Sequence, residues 1–257
     1  GGAAAPTCTI SAQGARGGVL PVVALLLVAC LAAGPLAPAT AHDAGPPQRE
    51  NQALPAFDYE PPAPGTYELP AIGPSPAGTV LDAKGRQHPL ARFTSGRIAL
   101  LGLIYTRCSD RLGCPLASSV LGDVVETLRH DARLAAHVAP HVRLLSLSFD
   151  PAHDTPAVMA AFRQRDAVAS DAESAVEWAF LTTPSAAALQ PILDGYGQNV
   201  VAEFDGAGAA TGGLSHVLKV FLLDRHGQVR NIYGVAFLDP RLLLADIETL
   251  LIEEARP

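Results

Sequence analysis

Cysteine is scarce in this chain of 257 residues. There are four, and Cys8 and Cys30 fall in the front section, which leaves only Cys108 and Cys114 in the body. No second closely spaced Cys or His pair accompanies them, so a four-ligand structural zinc site is disfavoured. The absence of a CxxCH run excludes covalent haem attachment. Basic charge is also in short supply, with 18 Lys and Arg against 25 Asp and Glu for a net −7. Arg16 is the only charged residue before His42, so a chain processed there carries 17 basic and 25 acidic residues, or −8. Without a basic patch interleaved with aromatics there is no footprint for nucleic acid. No nucleophile elbow supports serine hydrolase chemistry, no phosphate-cradling glycine motif follows the first strand, and no internal repeat is visible.

Long apolar runs are missing too. The one candidate, Val19 to Ala33, is broken by Pro21 and is too short and poorly flanked for a membrane span. Preceded by Arg16, it matches the basic n-region and short h-region of an export signal over residues 1–41. Two processing sites compete within it. Ala39-Thr40-Ala41 has the small-x-small pattern that leaves His42 first, whereas Leu27-Val28-Ala29-Cys30 resembles a lipobox with Cys30 as the lipidated residue. The only methionine is Met159, so translation is expected to start upstream of Gly1. Residues 42–75 are rich in Pro and Ala and read as a tether, with Tyr59 and Tyr67 as its points of contact with a domain over 76–257.

The domain reads as an alternation of strands and helices. Thr79 to Ala83, a Lys84-Gly85 turn and Gln87 to Leu90 form a small hairpin. Arg97 to Tyr105 is nearly continuous apolar sequence, as a strand buried on both faces requires. After the cysteines, Leu116, Val120, Val124 and Leu128 recur on one helical face, with Pro115 at the first helical position. Val142 to Phe149 gives a second buried strand, Asp154-Thr155-Pro156 opens a helix, and Val176 to Leu181 gives a third strand. A helix from Pro184, a short extended piece over Val200 to Phe204 and a Gly-rich loop over Gly206 to Gly213 lead to His216. A hairpin turning at Asp224-Arg225-His226-Gly227 and a helix capped by Asp239 close the chain. This order predicts an α/β fold of thioredoxin-like type with insertions, a central mixed sheet flanked by helices.

Cys108 falls just past a buried parallel strand and Cys114 at the start of the next helix, where open α/β sheets collect ligands. Amide groups and the helix dipole there favour a thiolate, which is both a nucleophile for disulfide exchange and a soft metal ligand. A structural bridge is the bland alternative, but closing so short a loop constrains little of the unfolded chain.

The runs TRCSDRLGCPLA, LSFDPAHDTP, WAFLTTPS and LSHVLKVFLLDRHGQV, in that order, resemble the Sco/SenC family of copper-handling, thioredoxin-like proteins over about residues 76–255. The resemblance implies that Cys108, Cys114 and His216 bind copper, for delivery to a metalloenzyme such as a terminal oxidase copper site, or that the thiols reduce such a site. The export signal, rather than this resemblance, points to an extracytoplasmic place, periplasmic or membrane-attached through a signal anchor or a lipidated Cys30. The resemblance also matches Asp150 and Asp154 to a strand-to-helix loop, Asp154 or Thr155 being a helix cap, and Trp178 to a core aromatic. One departure stands out: five residues, Ser109 to Gly113, separate the cysteines where the family pattern has three. Two thiolates and an imidazole suit Cu(I), and the imidazole helps accommodate Cu(II). A thiol-disulfide oxidoreductase or redox sensor with thiol-disulfide partners and no stable metal is the alternative. A thioredoxin site would show two residues between the cysteines and a proline ahead of the strand near His216, and Gly213 to Val217 contains none. His153 reads as a solvated loop residue, and His130, His137 and His141 as surface residues near a helix end.

Overall fold

A computed structural model of the chain describes residues 57–165 and 176–256. The export signal expected over 1–41, Cys30 and the front of the 42–75 segment lie outside the described residues. Among the described residues no helix is long and apolar enough to cross a membrane.

The organising layer is a six-stranded mixed sheet. Its strands, in spatial order, are β1 (Gly73–Pro74), β10 (Gln228–Tyr233), β9 (Val220–Leu223), β4 (Ile98–Ile104), β5 (Val142–Ser148) and β6 (Glu177–Leu181). The pairs β4–β5 and β5–β6 are parallel, while β9 pairs antiparallel with both β4 and β10. Every residue of β4 is buried, which accounts for its unbroken run of Ile, Ala, Leu and Gly. The two parallel steps follow from their crossovers. Helix α2 (Cys114–His130) joins β4 to β5 and buries Leu116, Val120, Leu121, Val124, Val125 and Leu128, while α4 (Pro156–Arg165) follows β5 and buries Met159. Trp178 lies in the core as expected, stacked on Phe180 and donating from Nε1 to Ser146 Oγ at 3.0 Å.

Around this sheet lie α1 (Ala91–Thr94), α3 (Ala132–His137), α5 (Ala186–Gly195) and α6 (Pro240–Glu254). Helix α6 begins with Asp239 accepting from Arg241 N, and it packs against α2. The hairpin of β2 (Thr79–Leu81) and β3 (Gln87–Pro89) forms where it was expected. The extended piece expected over Val200 to Phe204 is β7 (Val200–Phe204), and the stretch read as a Gly-rich loop is one only as far as Ala209. From Ala210 it becomes β8 (Ala210–His216), which pairs with β7 as a second hairpin turning at Gly208 with φ +80°, and His216 is the last residue of β8.

From Phe57 onward the segment read as a tether is laid against the domain. Leu69 is buried, Gly65 N donates to Thr249 Oγ1 at 2.9 Å, and Tyr67 OH donates to the buried Asp246 at 2.5 Å. Strand β1 then pairs with β10.

Candidate functional site

The cysteine loop leaves the sheet at the end of β4, and its first residues are clamped to the β5–α4 turn. Asp154, fully buried, accepts from Thr106 N at 2.9 Å, Thr106 Oγ1 at 2.5 Å and Ser148 Oγ at 2.6 Å. Next along, Arg107 Nη2 donates to Asp150 at 2.8 Å. Asp154 is therefore a tie to the cysteine loop, and the capping role falls to Thr155, whose hydroxyl accepts from Val158 N at 3.4 Å. His153 is partly exposed and lies 2.9 Å from Asp154 Oδ1 through Nδ1, so it belongs to this clamp. His130, His137 and His141 are exposed as expected, and His130, at the end of α2, pairs with Glu126.

The second half of the loop is organised by Asp110. Asp110 accepts from Leu112 N at 3.0 Å through its carboxylate and from Gly113 N at 3.0 Å through its carbonyl. Gly113 is the cap of α2, which makes Cys114 the first helical residue and Pro115 the second. A side chain at Gly113 would meet Cys108 Sγ at 3.2 Å, so the bare Cα is what lets the five-residue loop fold Cys108 back over the helix start.

The structure brings all three expected residues to one place. Both cysteines are free thiols: Cys114 is buried and Cys108 partly exposed. Cys114 Sγ accepts from Tyr105 N at 3.4 Å and lies 3.7 Å from His216 Nε2, across 102 residues of sequence. His216 is half-buried, with Phe149 and Tyr105 rings at 4.7 and 6.0 Å. Tyr105 and Phe149 read as core residues at strand ends in the sequence, and only the fold reveals them as the wall behind the imidazole.

The two thiols are electrostatically unequal. Cys108 is lowered to about 6, first because Cys114 hydrogen-bonds to its sulfur, helped by backbone N–H groups of Cys114 and Asp110 and by His216. Cys114 is pushed up, by its hydrogen bond to Cys108 and by burial. The charge goes to the loop cysteine because Cys114 keeps its proton for the hydrogen bond to Cys108 and is buried besides. Among the described residues no three His, Cys, Asp or Glu side chains stand in a ready-made metal cage. Cys114 is the common neighbour, in contact with Cys108 on one side and His216 on the other.

A sequence model of the SCO1/SenC family matches residues 79–252. No curated protein matches the chain by sequence. Among solved structures, the chain is similar to the copper-bound ScoI of Arabidopsis thaliana, with TM-score 0.56, 15% identity, and 71% of this chain and 99% of that one covered. A SCO1/SenC family lipoprotein from Bacillus anthracis str. Ames gives 0.55 and 17%, covering 72% and 99%. BsSco, described as a Sco cytochrome c oxidase assembly protein with a disulfide switch, gives 0.52 and 19%, covering 70% and 95%. At such identities these likenesses speak to the fold, which is the thioredoxin-like one expected from the order of strands and helices. Because the family match spans about two thirds of the residues and includes both cysteines and His216, the chain belongs to the SCO1/SenC family.

Proposed function

We propose that this protein is an exported copper metallochaperone that carries copper as cargo on Cys108, Cys114 and His216 and passes it to a metalloenzyme. The client class is one with a copper site such as that of a terminal oxidase. The 3.7 Å approach of His216 Nε2 to Cys114 Sγ carries the reading. Two donors bound to one metal at about 2.0–2.3 Å stand roughly 3–4 Å apart, so this pair is already at ligand spacing. Cys108 shares a hydrogen bond with the same sulfur from the adjoining loop, so the third donor is at hand. Two thiolates and an imidazole favour Cu(I), and the imidazole keeps Cu(II) accessible. Support comes also from the copper bound in the Arabidopsis relative and from the assembly role given for BsSco. Anaerobic titration of the reduced full chain with Cu(I) tests the reading. One saturable equivalent is expected, weakened in His216→Ala; no saturable binding by the wild type would sink it.

Export through residues 1–41, with lipidation at Cys30 as the alternative, places the domain outside the cytoplasm. The relative described as a lipoprotein supports that location. Mass spectrometry of the mature N-terminus separates the versions, since an unmodified His42 start eliminates the lipid anchor.

A second reading, thiol-disulfide exchange without stable metal, is favoured by one observation. A partly exposed thiol rests on a buried one, which is the arrangement of an attacking and a resolving cysteine. Failure of the pair to exchange with any partner disulfide would remove it.

A further inference from the structure

Between the cysteine loop and strand β8 runs a cleft of about 410 Å³, within the size range of small-molecule sites. Cys108 lies in one wall, and His216 ends the other. Three charged ends face it without being absorbed by the fold. Arg107 divides its guanidinium: Nη2 is held by Asp150, while Nη1 lies 3.3 Å from where a side chain at Gly212 would begin and has no acceptor among the described residues. The Glu203 carboxylate lies directly over the bare Cα of Gly213, with no donor to it among the described residues. Asp110 uses one carboxylate oxygen on Leu112 N and leaves the other beside Gly113, on the same side as Cys108 Sγ. Strand β8 pairs only with β7 among the described residues, and at Gly212 and Gly213 it presents backbone with no side chain to the cleft.

One cation, two anions and a thiol describe a ligand by complementarity. We infer that the cleft receives an amino-acid or short-peptide disulfide, with its carboxylate on Arg107, its ammonium on Glu203 and Asp110, and a sulfur presented to Cys108. This assignment rests on the thiol-exchange reading of the cysteine pair. The Cys108 thiolate attacks one sulfur of the bound RSSR; the S–S bond breaks, a mixed disulfide with Cys108 forms, and RS⁻ leaves and takes a proton. Cys114 then gives up its proton and attacks Cys108, forming the Cys108–Cys114 disulfide and expelling the second RS⁻, which is protonated in turn. The dithiol is oxidised by two electrons, and one RSSR becomes two RSH.

Stopped-flow oxidation of the reduced full chain tests this, with glutathione disulfide against 2-hydroxyethyl disulfide as probes. Each rate is normalised to that of dithiothreitol with the same disulfide. The net charge of the protein repels the anionic probe, so any preference for it must come from local contacts. Saturable kinetics and a normalised preference of about tenfold for glutathione disulfide are expected, as one charge-assisted contact supplies. Arg107→Gln and Glu203→Gln should each cut that preference by about threefold or more. Arg107→Gln also frees Asp150, so Glu203→Gln, at an exposed position on the hairpin, keeps the test decisive. No preference in the wild type, or one unchanged in Glu203→Gln, overturns the assignment. Failure of both disulfides to oxidise the pair overturns it together with the thiol-exchange reading, while Cu(I) titration judges the copper reading separately.

Discussion

Replacing Asp154 should loosen the cysteine loop and the whole fold together. Its carboxylate is fully buried and accepts from Thr106 N, Thr106 Oγ1 and Ser148 Oγ at 2.9, 2.5 and 2.6 Å. Asp154→Ala strands these donors. Ser148 is itself fully buried, so its hydroxyl has no water to turn to, whereas the half-buried Thr106 recovers part of its loss from solvent. At about 1–3 kcal/mol for each stranded group, the sum comes to about 3 kcal/mol. Asp154→Asn keeps the volume but turns a donating amide toward Thr106 N or Ser148 Oγ, so it should cost about 1–3 kcal/mol. Urea unfolding of the full chain reads both losses. With a slope of about 2 kcal/mol/M, Asp154→Ala moves the midpoint down by about 1.5 M. Because Thr106 is two residues before Cys108, the alkylation rate of Cys108 should rise in the same variants. A loss below about 1 kcal/mol in Asp154→Ala, with Cys108 reactivity unchanged, would show that the loop is not held through this carboxylate.

Iodoacetamide alkylation of Cys108 should rise with pH through a midpoint near 6 and level off above it, since a lowered thiol is already thiolate at neutral pH and is protonated only as the pH falls through 6. Cys114→Ala removes the largest cause and should carry the midpoint up toward the usual thiol range of about 8.5; an unmoved midpoint refutes the attribution. Gly113→Ala places a methyl group 3.2 Å from Cys108 Sγ and 3.3 Å from both the carbonyl and the carboxylate of Asp110, so the sulfur must shift off Cys114. The same alkylation profile should move upward in that variant with little change in unfolding midpoint. Tyr67→Phe removes a donor to the buried Asp246, which also accepts from Tyr233 OH at 2.6 Å and Asn231 Nδ2 at 2.8 Å. A loss of about 1–2 kcal/mol in chemical unfolding is expected, and none would mean that the strap of residues 57–72 is not held there.

Burial decided which parts of this fold were legible. Strand β4 is enclosed on both faces and announces itself as seven apolar residues, and α2 buries one face at a regular helical spacing. The β7–β8 hairpin is only half legible: Val200 to Phe204 reads as extended, but β8 carries no such pattern. Val201 and Phe204 are 61% and 64% exposed, and a two-stranded ribbon standing off the sheet does not force its residues to alternate. Its glycines therefore read as a loop. Strand β1 is two residues long and contains Pro74, so nothing local marks it; it exists because Ile72 N donates to Val229 O and Ser75 N to Gly227 O on either side. That Cys108, Cys114 and His216 lie together was legible from the ordered motifs. Their supports were not, because the Thr106–Asp154 and Tyr105–Leu214 contacts join residues 48 and 109 positions apart.

The three proposed donors stand on different supports, and on the copper reading that difference fits cargo exchange better than permanent metal storage. Cys114 starts a helix whose inner face is packed into the core, so its sulfur is the fixed point. His216 ends a strand of the hairpin, with aromatic rings behind its imidazole and the 69% exposed Val217 following it. Cys108 follows the part of the loop clamped through Thr106 and Arg107, and the residues after it are held by Asp110 to Leu112 N and Gly113 N and by Leu112 against the core. A closed structural site holds every ligand in place, as tetrahedral zinc sites do. On the proposed copper reading the helix-borne Cys114 is the fixed donor, and Cys108, partly exposed in its loop, is the one an incoming sulfur ligand would displace while Cys114 and His216 hold the metal. On this argument Cys108→Ser should speed copper loss to a competing thiol far more than it lowers Cu(I) affinity at equilibrium. Equal effects on the two would mean that all three donors release together.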